Sequence, residues 1–84
     1  MVLPNAPVTL SIEQIAQLNK MLSHMRHGVN NHFAVIVAAV ELMRMNPALV
    51  QDKGLTVLNQ CPKVKEEMDR FSAEFEKMLG IRRP

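Results

Sequence analysis

The spacing of apolar residues constrains this chain more than any other feature. Ile15, Leu22, Val29, Ile36 and Met43 recur every seven residues, and Leu18, Met25, His32 and Ala39 form a second series between them. Alternating steps of three and four put both series on one side of an α-helix, as the seam of a packed helical bundle. No proline falls between Pro7 and Pro47. The pattern therefore predicts one helix over about 12–45, about 50 Å long at 1.5 Å per residue. Ser11 is placed as its N-cap with Gln14 closing a capping box, and Glu13 suits the positive end of the helix dipole.

The rhythm resumes after a break. Asn46-Pro47 stops the first helix and supplies a fresh cap with proline in the first position. Val57, Val64, Phe71 and Met78, interleaved with Cys61, Met68 and Phe75, then mark a second helix over about 48–79. The phase is kept across Pro62, which predicts a kink there rather than a stop. Gly80 is the C-cap candidate. The organisation expected is an extended lead-in over 1–10, an antiparallel helical hairpin over 11–80 and a tail over 81–84. One hairpin cannot cover both apolar series on each helix, whereas two hairpins paired into a dimeric four-helix bundle can. The fold class is thus all-α, and the expected assembly is a homodimer.

Composition narrows the function classes. Eighty-four residues make one small domain near the lower limit for an independent core. The apolar content has no Trp or Tyr, only three Phe, and seven Met, which favours helices packed on helices, with Met filling gaps. A net charge of +2 with acids and bases interleaved offers no field for nucleic acid. The single cysteine, Cys61, excludes an intramolecular disulfide and a cysteine-only zinc site. MVLPNAPVTLS has neither the basic start nor the apolar run of a signal peptide. The near-apolar stretch 33–40 is too short to span a bilayer. A cytoplasmic protein with no membrane or nucleic-acid partner is expected. His24 and His27 have no third ligand nearby on the helix, so neither a metal nor a cofactor is expected.

Within the first helix, His27-Gly28-Val29-Asn30-Asn31 stands out. Glycine costs about 1 kcal/mol against alanine in a helix interior, and asparagine amides compete for the backbone. The sevenfold rhythm nevertheless passes through without a phase slip, so the helix continues. His27 falls opposite the seam. His24, three residues before it, and Asn31, four after it, share its outward stripe. Arg26 projects about 100° away and is not assigned to the site. A solvent-facing neutral imidazole is a competent nucleophile and proton carrier, and Asn31 can hydrogen-bond a phosphoryl oxygen or an attacking water. Most outward histidines are plain surface residues, and His32, on the seam, reads as a hydrogen-bonded core or interface residue.

His27, Asn30 and Asn31, followed by Val35, Ile36, Glu41 and Leu42 in FAVIVAAVELM, resemble the phosphoacceptor helix of sensor histidine kinases. The similarity is to the subgroup with H-D-x-N-N and then L-x-V-I-x-x-x-x-E-L. The resemblance spans the hairpin, and its specific content lies between His27 and Leu42. It implies a dimerisation and histidine-phosphotransfer hairpin in which His27 carries the phosphoryl group. Asn31 would match the polar residue that positions water during dephosphorylation of a receiver domain. It also implies a response-regulator receiver or a histidine kinase as partner, docking alongside the His27 stripe. Two departures stand out. The acid that normally follows the histidine is Gly28 here, so general-base help has to come from elsewhere. The chain also has no room for an ATP-binding domain, so it is not a self-sufficient kinase. The alternative is a catalytically inactive helical scaffold that binds a kinase or receiver without accepting phosphate.

Overall fold

Ser11 opens the first helix, α1 (Ile12–Met45). Its hydroxyl accepts from the Gln14 N–H at 3.0 Å, and the Gln14 side chain accepts from the Ser11 N–H at 2.8 Å. These two reciprocal bonds satisfy donors that a helix start otherwise leaves open. The structure, a computed structural model, describes residues 2–82. Over its 34 residues α1 runs unbroken through the HGVNN pentapeptide. It ends where Asn46 turns extended, at φ −143° and ψ 98°. The Asn46 side chain accepts from the Ala48 N–H at 3.1 Å and so caps a 3₁₀ turn, Pro47–Leu49.

The second helix, α2 (Val50–Leu79), returns beside α1 and continues through Pro62. Gly80 closes it with φ 71°, a left-handed conformation that glycine adopts without a steric penalty. The Ile81 N–H then reaches back to the Glu76 carbonyl at 2.8 Å. The fold is an all-helical hairpin. Its extents, 58 × 28 × 12 Å, describe a slab two helices wide and one helix thick, since a helix with its side chains is about 10–12 Å across. None of the described residues forms a further layer over either broad face. Ala39, 3% exposed, is the one buried residue among the described residues.

Along the seam, α1 contributes Leu18, Met25, His32, Ile36 and Met43, and α2 contributes Val57, Val64, Phe71 and Met78, all half-buried. The other α2 series turns away from α1. Cys61 and Phe75 are exposed and Met68 is 52% exposed. Ile15, at 55%, and Phe33, at 49%, are exposed on α1 together with Val37 and Val40. Each stripe is rotated from the seam in the same sense, by about 75° on α1 and about 50° on α2, and in an antiparallel pair that places both on one side of the slab. One broad face is therefore apolar and uncovered.

The two ends of the described chain meet. Val2 and Arg82 form an isolated antiparallel bridge, with N–H to carbonyl distances of 2.6 and 2.9 Å. Leu10 and Ile81 are half-buried at the same end. Residues 83–84 of the expected tail lie outside the described residues. No helix among the described residues is long and apolar enough to cross a membrane. Replacing Ser11 by Ala removes the cap and is expected to lower the unfolding free energy by about 1 kcal/mol in urea titrations.

Candidate functional site

A helix presents residues three and four apart on one face, and α1 uses this to gather its exposed polar side chains. His24, His27 and Asn31 are all exposed. They lie on the side of α1 away from the apolar stripes. Ser23, His24, His27 and Gly28 line a shallow depression of about 340 Å³. His24 also borders a cleft of about 470 Å³ between the helices on the open-end side, with Met25 and Phe71 in it and Lys20, Arg70 and Glu74 around it. Toward the turn the same face changes character. Val35 and Leu42, four and eleven residues beyond Asn31, leave apolar side chains exposed.

Behind the outward stripe the seam is polar for one stretch. The His32 Nδ1 lies 2.7 Å from Gln60 Oε1. A carbonyl oxygen only accepts, so Nδ1 is the donor and Nε2 faces elsewhere. It faces Glu67, whose Oε1 is 3.9 Å away. The other carboxylate oxygen of Glu67 is 3.7 Å from Arg70 Nη1. Glu67 also explains the space at Gly28: a Cβ added there would meet the Glu67 carboxyl atoms at 2.7–2.9 Å. The backbone does not ask for glycine at this position, because Gly80 alone has a positive φ among the described residues.

The two residues proposed from the sequence for chemistry, His27 and Asn31, thus share one open face with His24. His32 sits on the seam with a hydrogen-bond partner. The sequence pattern gave Gln60 no role and marked Glu67 and Arg70, in the charged run 63–70, only as a solvated face with local ion pairs. The available signal was that Gly28 and His32 stand four apart and so press on the same neighbour. Among the described residues, no carboxylate pairs with His27, and no group of three His, Cys, Asp or Glu side chains is placed to hold a metal ion. Chemically this is an accessible imidazole with a carboxamide one turn on, a nucleophile with a hydrogen-bonding group beside it. No protein-family model, curated protein or solved structure matches the chain.

His27→Ala is expected to change the unfolding free energy by less than about 0.5 kcal/mol, because the side chain faces water. Gln60→Ala, which strips His32 of its partner, is expected to cost about 1 kcal/mol. Parallel urea melts compare the two.

Proposed function

We propose that this chain is a dimeric histidine-phosphotransfer hairpin of two-component signalling, resembling the dimerisation and phosphoacceptor domain of sensor histidine kinases. The observation that carries the reading is the solvent-open imidazole of His27, with Asn31 exposed beside it, on the face turned away from the uncovered apolar stripes. In the proposed reaction a ring nitrogen lone pair of neutral His27 attacks phosphorus on a phosphorylated receiver. An N–P bond forms, the P–O bond to the donor breaks, and the ring proton passes to water. Asn31 hydrogen-bonds a phosphoryl oxygen, or orients the water that attacks phosphorus when the receiver is dephosphorylated. The receiver would dock along the stripe, where Val35 and Leu42 give its apolar surface something to cover.

A second copy is the proposed cover for the other face. A compact monomer of 9.5 kDa would expose about 5,000 Å². The hairpin exposes 6600 Å², an excess of about 1,600 Å² per chain. Burying that excess on two copies gives about 3,000 Å², within the range of obligate homodimers. Ile15, Phe33 and Val40 on α1, with Cys61, Met68 and Phe75 on α2, would form the core of a four-helix bundle.

A second reading has its own support. Gly28 leaves no acid beside His27, and Glu67 occupies the space where a side chain at 28 would stand. The same bundle would then bind a receiver or kinase as a scaffold and take no phosphate.

Incubation with a radiolabelled phosphorylated receiver separates the two. Phosphotransfer is supported by acid-labile label on the wild type that disappears in His27→Gln. Binding without label in either protein supports the scaffold. For the assembly, the thermal midpoint of the wild type is expected to rise with protein concentration, as dimer linkage requires. Phe33→Glu is expected to remove that dependence and halve the mass in sedimentation. A wild-type midpoint independent of concentration would rule the dimer out.

A further inference from the structure

The apolar arc of α1 is wider than α2 can cover, and that poses a rotational problem. Leu18, Met25 and Ile36 face α2, yet Ile15, Leu22, Phe33 and Val40 form an equally apolar stripe beside them. Burial of apolar surface has no preferred direction, so apolar contact alone does not decide which stripe turns inward. The choice matters. Rotating α1 by about a quarter-turn to bring the second stripe onto α2 would swing His27 to the opposite side of the slab.

The polar stretch of the seam breaks the tie. Only in the observed rotation does His32 Nδ1 donate to Gln60 Oε1 at 2.7 Å. Only then does the Glu67 carboxylate lie on Gly28 and face His32 Nε2 at 3.9 Å. His32 and Glu67 side chains are each 23% exposed, so their polar atoms are partly withdrawn from water and an orphaned partner carries a penalty. Gly28 fits the same logic. Its backbone is ordinary helix, and alanine would be the better helix former. What alanine would displace is the Glu67 carboxylate. Such polar groups are often no more stabilising than apolar replacements, and fixing one arrangement among several is their best-attested use.

We infer that Gly28, His32, Gln60 and Glu67 are a rotational key: positioning residues that select the one orientation of α1 in which His27 lies on the side away from the exposed α2 stripe of Cys61, Met68 and Phe75. The proposed phosphotransfer supplies only the purpose of that orientation; the orientation is measured without any phosphate.

The full chain carrying His32→Leu, Gln60→Leu and Glu67→Leu tests this, by circular dichroism and by NMR of isotope-labelled protein. The variant is expected to stay helical and to melt no lower than the wild type. Its amide signals at 27–31 are expected to double or broaden, and contacts of Phe71 with Met25 to give way in part to contacts with Leu22. One sharp set of signals with the Met25 contacts intact would overturn the inference. If the triple variant fails to fold, Gly28→Ala decides instead. It is expected to shift the His32 ring signals in the wild-type background and to leave them unmoved in a Glu67→Ala background. Equal shifts in both would overturn the proposal. If the wild type takes no label from a phosphorylated receiver but the variants lose their orientation, the functional reading falls and this inference stands.

Discussion

A helix that is apolar over most of its circumference cannot be satisfied by one neighbour, and this mismatch governs the rest of the molecule. From Phe33 to Met45, α1 places Phe33, Val37 and Val40 on one side and Val35 and Leu42 on another, all exposed. α2 occupies only the sector between them. A slab 12 Å thick has no third layer to absorb what is left. The hairpin therefore leaves apolar surface open on both broad faces, consistent with a single buried residue, Ala39, among those described.

Against that apolar background the few polar features do specific work. Surface pairs such as Lys65 with Asp69 and Arg44 with Glu41 are exposed on both partners and contribute little. The group built from His32, Gln60 and Glu67 is different because it crosses from one helix to the other. It converts a smooth seam into one with a keyed orientation, and it stands one turn of helix from the imidazole that faces solvent. Structure and proposed chemistry meet in this short stretch of α1, where the backbone is helical and the oddity lies wholly in the side chains.

Much of the architecture was legible in the residues. Ser11 and Gln14 are spaced for the reciprocal cap that they form, Asn46-Pro47 announces the turn, and Gly80 supplies the left-handed residue. The outward direction of His27 follows from counting turns from Leu22 and Val29. The division of labour between the apolar series was not legible. Periodicity marks residues as one-sided without saying which neighbour covers them, so Cys61, Met68 and Phe75 could not be told from Val57, Val64 and Phe71. Gly28 was also opaque, because a missing side chain gives no hint of what occupies its place. That required the second helix, folded back so that residue 67 meets residue 28. The bridge between Val2 and Arg82 rests on two backbone bonds and leaves no mark in side-chain pattern at all.

That bridge has a mechanical consequence. Because the two ends of the hairpin are joined at one level, force applied to the chain enters both rods together. A load that draws the ends apart unzips the structure rung by rung from the open end. Its first obstacle is a pair of hydrogen bonds, each worth only about 1 kcal/mol net, and the cleft beside His24 lies among the next rungs. A load along the long axis meets the whole seam in shear. The molecule is thus compliant to tugging across its width and stiff along its length.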